Sequence, residues 1–294
     1  MTQAFVDEWT GEGVKLAQVE EALARLRSAS EEDRGPNLRT SVMTHLAWVP
    51  EQWLDAARET LHGMAERHPS RTILLVPEPD AGDDRIDAEA TVECYPLSGT
   101  DRHVCSEVVE LHLLGRRCAA PASIVLPLLI PDLPVFCRWR GEPPWDSPQL
   151  EQLVDVTDRL VLDSTEWENV PGAYGNLVPL FERTAVSDIA WARTARWRAL
   201  LASLWPGIAE VQAIRVHGTK AQAHLLAGWL RSRLGRPELE LEHEAADTLE
   251  GIDLDGEPAP FPPGDPPEPS DVLSEELDTL SRDRIYEEAV AAAG

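Results

Sequence analysis

One stretch of the chain combines residue types that bind anions: Gly218, Thr219 and Lys220. A β-rich run, residues 211–218, precedes it, and a helical pattern, residues 219–234, follows it. At a strand-to-helix turn, free backbone N–H groups and a lysine can together hold a phosphate or another anion. In a second interpretation Gly218 makes the turn and Thr219 caps the helix, and neither needs a ligand. The sequence leaves both interpretations open.

A second junction, His68-Pro69-Ser70-Arg71, joins a predicted helix to the apolar run RTILLV at residues 71–76. Pro69 ends the helix, His68 stands in the last turn where a cation is favoured, and Arg71 begins the strand. We therefore predict a structural junction. A nucleophilic role for Ser70 would need a nearby base, which the sequence does not place.

Tryptophan and arginine occur together at two places in a chain that has ten tryptophans. These residue types anchor protein interfaces, because each covers a large area and still offers a hydrogen-bond donor. We predict that exposed members of this group bind a partner protein: Trp139, Arg140, Trp191, Arg193, Trp197 and Arg198. Over residues 189–205 the tryptophans lie on two helix faces, so one face is expected to be core and the other free.

The common catalytic and metal-binding motifs do not occur in the sequence. It contains no GxGxxG after a strand, no GxxxxGK[ST], no GxSxG and no HExxH. The histidines and the four cysteines, Cys94, Cys105, Cys118 and Cys137, show no paired ligand spacing. We predict no catalytic residue, no metal and no cofactor. Reduced, buried thiols are the expected state of the cysteines, with a regulatory disulfide as the alternative.

The formal net charge is −26, and it is unevenly distributed. Residues 238–294 hold 18 acidic residues against two arginines. This balance argues against a nucleic-acid partner, because neutralising phosphates requires clustered Lys and Arg. No run approaches the roughly 20 apolar residues of a membrane helix, and the N-terminus lacks the pattern of a signal peptide. We expect a cytoplasmic protein without a membrane partner.

The spacing of apolar residues predicts strands alternating with helices. Alternation in residues 86–97 predicts a strand of a hairpin-like pair within residues 86–113, whereas residues 103–114 are ambiguous between strand and helix. Further elements are a long helical stretch from Ile189 to Trp205 and an edge strand at LELEHE. This pattern predicts an α/β fold with a mixed, mainly parallel sheet layered with helices, a second smaller α/β domain, and an acidic proline-rich C-terminal segment. The predicted parts are an N-terminal helix (1–35), an N-terminal α/β domain (36–165), a C-terminal α/β domain (166–257), and a proline-rich tether with a C-terminal helix (258–294). Ser270 or Asp271 is expected to cap this last helix, whose apolar face is expected to pack against the body of the protein or against a partner.

Several stretches, in order along the chain, resemble one protein family: HPSRTILLV (68–76), SEVVELHLLG (106–115), LPLLIPDLPVFCRWRG (126–141), DRLVLDS (158–164), SDIAWARTARWRALLAS (187–203), LLAGWLRSRLG (225–235) and SEELDTLSRDRIYEEAV (274–290). The chain is similar to the OpcA-type glucose-6-phosphate dehydrogenase assembly proteins. The resemblance implies a non-catalytic protein that binds this dehydrogenase, favours its active oligomer and so supports NADPH production by the oxidative pentose phosphate pathway.

Two other functions remain open at this level. An α/β enzyme or sensor could bind a phosphorylated sugar or nucleotide through Lys220 and the neighbouring amides. Alternatively, all the tryptophans could be core residues, and the chain could act as a scaffold through its acidic C-terminal segment.

Overall fold

The computed structural model describes residues 5–34, 37–38, 41–64, 70–96 and 103–294. The chain divides into two compact units, Met1–Leu160 and Val161–Gly294. The finer division into four parts stays a prediction. His68 and Pro69 of the predicted junction lie outside the described residues.

The first unit contains a mixed sheet. Its strands are β1 Phe5–Gly11, β2 Asn37–Leu38, β3 Thr44–Trp48, β4 Arg71–Glu78, β5 Ile86–Pro96, β6 His103–Leu114 and β7 Val135–Trp139. The strand order is β1-β5-β6-β4-β3-β7, with β2 beside β6. Parallel pairs join β6, β4, β3 and β7, whereas β1-β5 and β5-β6 are antiparallel. The predicted α/β fold with a mixed, mainly parallel sheet is confirmed.

The parallel strands lie in the core of this unit. Every residue of β3 and β7 is buried, as are the first six residues of β4. Successive side chains of a strand point to opposite faces, so a strand buried throughout is covered on both faces, as in other parallel sheets. The covering helices of this unit are α1 Leu16–Arg34, α2 Leu54–Met64, α3 Pro121–Val125 and α4 Pro148–Val154.

The second unit combines helices with a smaller sheet. The strands of this unit are β9 Ala185–Asp188, β10 Ala213–Gly218, β11 Glu240–Ala245, β12 Gly251–Leu254 and β13 Glu257–Pro258, of which the last four form the smaller sheet. Strand β8, Arg159–Leu162, begins in the first unit and ends in the second. The small sheet has the order β11-β10-β12-β13, parallel at β10-β11 and antiparallel elsewhere. The predicted edge strand LELEHE is confirmed as β11.

The helices of the second unit are α5 Tyr174–Leu177, α6 Ile189–Arg193, α7 Ala195–Ser203, α8 Lys220–Leu234, α9 Pro269–Leu277 and α10 Arg284–Ala291. Among the helices of the described ranges, none combines the length and apolar character needed to cross a membrane.

Two helices that the spacing predicts as continuous are each divided in the structure. The segment from Ile189 breaks at Thr194, whose hydroxyl donates to the carbonyl of Trp191 at 2.7 Å and accepts from Arg198 at 3.0 Å. A threonine hydroxyl that bonds nearby backbone competes with helix continuation. The C-terminal helix consists of α9 and α10. Its first residue is Pro269 after Glu268, so the prediction that Ser270 or Asp271 caps it is wrong.

The C-terminal helix α10 packs against α8 of its own unit, which is one of the two placements expected for it. Gly228 in α8 makes the close approach possible, because a Cβ there would overlap the carbonyl oxygen of Ala289 in α10. His224 and Arg231 of α8 bond the carbonyls of Ala293 and Ala292. These bonds satisfy carbonyl groups at the end of α10 that have no partner within the helix.

The cysteine prediction is wrong for one pair. Cys94 and Cys105 occupy directly opposite positions of β5 and β6 and form a disulfide. Cys118 and Cys137 are free and buried, as expected. Strand register decides which cysteines meet, and the spacing of cysteines along the chain does not reveal it.

Candidate functional site

The three tryptophans of the predicted partner surface are buried. Trp139 is 2% exposed and stacks on Trp48 with the ring centroids 5.1 Å apart. Trp191 and Trp197 are 4% and 6% exposed. The prediction that they form an exposed surface is therefore wrong. Tryptophan is large and apolar enough to serve either an interface or a core, and these three tryptophans lie in the core.

The three arginines of that predicted surface have partners within their own units. The Arg140 guanidinium lies over Trp53, 4.8 Å from the ring centroid, and that of Arg198 lies 3.5 Å from the centroid of Trp191. Burial lowers the pKa of Arg198 to about 10. Arg193 donates to Asp163 at 3.3 Å. Any role of these arginines in partner binding stays a prediction.

The predicted anion site is occupied by a helix cap. Thr219 accepts the backbone N–H of Gln222 through its hydroxyl, and the Gln222 side chain accepts the backbone N–H of Thr219. Lys220 is exposed, and the carbonyl of Gly218 accepts from the His243 ring at 2.9 Å. The arrangement agrees with the interpretation in which Thr219 caps the helix. Anion binding by Gly218, Thr219 and Lys220 stays a prediction.

The junction residue Arg71 is the centre of a buried ion-pair cluster. It begins β4 and donates to Glu107 of β6 at 2.7 and 2.8 Å, and to Glu20 of α1 at 2.6 Å. Arg27 of α1 donates to the other oxygen of Glu107 at 2.6 Å. Burial alone would raise the pKa of Glu107, but Arg71 and Arg27 hold that pKa below its usual range. Ser70 is buried, and its hydroxyl lies 3.5 Å from that of Thr72.

A second acidic residue of β6, Glu110, binds helix α2 through Arg58. Glu110 stands three positions after Glu107, hence on the opposite face of the strand. It accepts from Arg58 of α2 at 2.6 and 3.0 Å and contacts His112 at 2.9 Å. His112 also contacts Glu78 at 2.7 Å. Hydrogen bonds to these carboxylates, with Glu110 the stronger contributor, outweigh burial and raise the pKa of His112 to about 9.

These contacts show how β6 joins both helices to the sheet. Glu107 binds the arginine of α1 and Glu110 binds the arginine of α2. The sequence singled out Arg71 but missed the two glutamates. Their signal was present: two acidic residues three positions apart, each among apolar residues, within the stretch SEVVELHLLG.

In the second unit a buried carboxylate, Asp188, collects four donors. Its Oδ1 accepts the backbone N–H groups of Ser164 at 3.0 Å and Ala190 at 2.9 Å. Its Oδ2 accepts the hydroxyls of Ser164 at 2.6 Å and Tyr286 at 3.3 Å. The hydroxyl of Tyr174 lies 3.1 Å from that of Ser164. Burial, followed by the charge of nearby Asp163, raises the pKa of Asp188 to about 6.

This cluster holds the C-terminal helix in place. Asp188 is 0% and Ser164 is 1% exposed, so a substrate does not reach the serine hydroxyl, which donates its hydrogen bond to Asp188. Tyr286 belongs to α10, and Asp283, which caps α10, accepts from the Trp191 indole at 2.8 Å. Asp188, through Tyr286, and Trp191, through Asp283, therefore hold α10 in this unit.

No metal centre is found in the part of the chain that the structure describes: it contains no group of three or more His, Cys, Asp or Glu placed to hold an ion. The charged groups of both polar clusters instead bond other residues of their own unit.

Two sequence models of one family match this chain in succession. Residues 62–178 match the model described as the N-terminal domain of a glucose-6-phosphate dehydrogenase subunit. Residues 184–261 match the model described as the C-terminal domain of the same dehydrogenase subunit. Together the matches cover about two thirds of the chain.

Curated relatives that carry the designation OxPP cycle protein OpcA occur in cyanobacteria. The protein of Synechococcus elongatus is 28% identical over 183 residues, 58% of this chain and 41% of the relative. The protein of Synechocystis sp. is 25% identical over 183 residues, which are 58% of this chain and 38% of the relative. The protein of Nostoc punctiforme is 25% identical over 195 residues, which are 63% of this chain and 42% of the relative. The matched region spans about two fifths of the length of these relatives. The chain belongs to the family of OpcA-type glucose-6-phosphate dehydrogenase assembly proteins.

Proposed function

We propose that this chain is a non-catalytic assembly factor or allosteric activator that binds glucose-6-phosphate dehydrogenase and promotes its active oligomer in the oxidative pentose phosphate pathway. The observation that carries the proposal is the pair of successive family matches, both named for a subunit of this dehydrogenase. The names of the cyanobacterial relatives point to the same pathway.

The geometry of the two polar clusters supports a binding role. Glu107, Glu110 and Asp188 are each bonded to groups of their own unit, and each has less than a tenth of its surface exposed. Catalysis needs acid, base or nucleophilic groups within reach of a substrate. These groups instead fix helices α1, α2 and α10 to their units.

An activator acts by differential affinity. A partner shifts an equilibrium between two states of an enzyme only as far as it binds one state better than the other. A coupling of about 1–3 kcal/mol corresponds to a roughly 5- to 150-fold change in the affinity of the enzyme for its ligand. The proposal therefore predicts a change in apparent substrate affinity together with a change in oligomer population.

The test combines binding and kinetics with purified proteins. The chain is mixed with the dehydrogenase of the same organism, the complex is sized by sedimentation velocity, and initial rates are measured over a range of glucose 6-phosphate concentrations. We expect a complex of defined size, a larger share of the active oligomer and a lower apparent KM. A mixture that sediments as two free proteins with unchanged kinetics would refute the proposal.

The alternative function is checked in the same preparation. Thermal-shift measurements with glucose 6-phosphate and NADP, on the wild type and on Lys220→Ala, report a small-molecule site on the chain itself. The proposed binding role predicts no shift with either ligand. A shift that Lys220→Ala abolishes would favour the sensor or enzyme instead.

A further inference from the structure

The small sheet of the second unit has an open edge. Strand β11, Glu240–Ala245, is the last strand on its side and pairs only with β10 among the described residues. The backbone N–H of Glu240 donates to the carbonyl of Gln212, just before β10, and that of Ala246 donates to the carbonyl of Gly218, the last residue of β10. Alternate residues of a strand direct their backbone groups to opposite sides. The N–H and C=O groups of Leu241, His243 and Ala245 therefore point outward along this edge.

This edge is exposed, and no strand of the described ranges pairs with its outer side. Five of the six residues of β11 are exposed, and Leu241 is half-buried. The opposite edge of the sheet, β13, has two residues, one of which is Pro258. An unpaired row of backbone donors and acceptors is a template for pairing with another chain. Proteins use such edges to bind extended segments of their partners.

The side chains of β11 indicate which charge a partner segment at this edge should carry. Glu240, Glu242 and Glu244 alternate with residues of the other face, and Glu242 and Glu244 contact Arg215 and His217 of β10. Asp253 of β12 contacts the same two residues. Three carboxylates on this face, Glu242, Glu244 and Asp253, thus share one arginine and one histidine, and Glu240 adds a fourth carboxylate. Glu242 and Glu244 remain 57% and 66% exposed. The open edge is bordered by excess negative charge.

The same charges disfavour a second copy of this chain as the occupant. Antiparallel pairing of two β11 strands centred on Glu242 would place all three glutamates of each copy opposite those of the other, and pairing centred on His243 would place Glu242 opposite Glu244. Like charges on facing positions of neighbouring strands are destabilising. A segment with Lys or Arg at alternate positions would instead form a cross-strand pair with each glutamate while its backbone bonds the edge.

We propose that β11 is the docking edge for the partner, and that the dehydrogenase adds an extended basic segment to it as a further strand. This inference rests on the proposed function, since it names the surface through which that partner is bound. Backbone bonds to Leu241, His243 and Ala245 supply affinity, and the glutamates select the basic segment.

Two pairs of variants separate the contributions of backbone and charge. Ala245→Pro removes an outward N–H without removing a bond to β10, and Ala245→Ser keeps the N–H as its control. Glu240→Lys reverses a charge beside the edge, and Glu257→Lys makes the same change in β13 at the opposite edge. We expect Ala245→Pro to weaken binding of the dehydrogenase at least about tenfold and Glu240→Lys about fivefold or more, whereas each control stays within about twofold.

Hydrogen exchange on the wild-type complex gives a readout that does not depend on any variant. Docking should slow exchange of the amides of Leu241, His243 and Ala245, which are open to water in the free chain. If the complex forms but β11 gains no protection, or if Ala245→Pro binds like the wild type, the docking edge is overturned and the proposed function stands. If no complex forms, both are overturned. A dimer of the chain alone that Ala245→Pro dissociates would assign the edge to a second copy and would also overturn the proposal.

Discussion

Replacing Asp188 by asparagine removes a buried charge while keeping the shape of the side chain. The remaining carbonyl oxygen can still accept the backbone N–H groups of Ser164 and Ala190. The new amide NH2 can donate to the hydroxyls of Ser164 and Tyr286, which then act as acceptors. Asp188→Asn therefore changes the charge of the cluster more than its geometry.

The pKa of Asp188 sets the size of the expected change in the free energy of unfolding. Burial and Asp163 raise this pKa from 3.8 to about 6. One pKa unit is about 1.4 kcal/mol, so the ionised carboxylate costs the folded state about 3 kcal/mol relative to the protonated one. Between these two pKa values the folded chain binds more protons than the unfolded chain. The contribution of this group to stability therefore falls as pH rises from about 4 to 6, and it is constant above about 7.

We expect Asp188→Asn to raise the free energy of unfolding by up to about 3 kcal/mol at pH 7.5 and by about 2 kcal/mol at pH 5.5. Urea unfolding of the full chain, followed by tryptophan fluorescence, measures both values. Asp146→Asn is the control, because it removes the same charge from an exposed side chain, and we expect a change within about 0.5 kcal/mol. A variant that is less stable than the wild type at pH 7.5, or whose gain is the same at both pH values, would refute the reasoning.

Three further outcomes follow from the packing and the ion pairs. Gly228→Ala should lower the free energy of unfolding by about 1–3 kcal/mol, because the added methyl overlaps α10, whereas Gly175→Ala, with nothing within 4 Å of the added Cβ, should be neutral or stabilising in the same urea assay. Arg71→Met should cost about 3–5 kcal/mol by leaving the Glu107 carboxylate poorly paired, and the double variant Arg71→Met/Glu107→Leu should recover part of that loss; no recovery would contradict the ion-pair account. An NMR titration of the His112 ring should have its midpoint near pH 9, the stability from its ion pairs being present below about pH 6.5 and lost as pH rises through 9; a midpoint near 6.5 would contradict it.

Local patterns predicted most of the elements that form the sheet. The apolar run after Arg71 forms β4, and the charged alternation LELEHE forms an edge strand. Such predictions succeed because the period of apolar residues and the special residues at turns are properties of a short segment. The division at Thr194 was missed, because a single hydroxyl that bonds the backbone does not alter the apolar period around it.

The candidate sites could not be predicted in the same way, because their residues meet from distant parts of the chain. Glu107 binds Arg27, 80 positions earlier, and Asp188 binds Tyr286, 98 positions later. A tryptophan in the sequence is equally suited to a core and to an interface, and only packing placed Trp139 inside. Which cysteines form the disulfide was likewise decided by the register of β5 and β6.

The sequence by itself determined the α/β class, the mixed sheet, the acidic C-terminal part and the family, because each follows from residue types and their order along the chain. The tertiary structure alone decided which charges are buried in pairs, which aromatic residues are core and which strand edge has no further partner in the described part of the chain. The physical reason is that burial and pairing depend on contacts between segments far apart in the chain, and one-dimensional spacing does not contain those contacts.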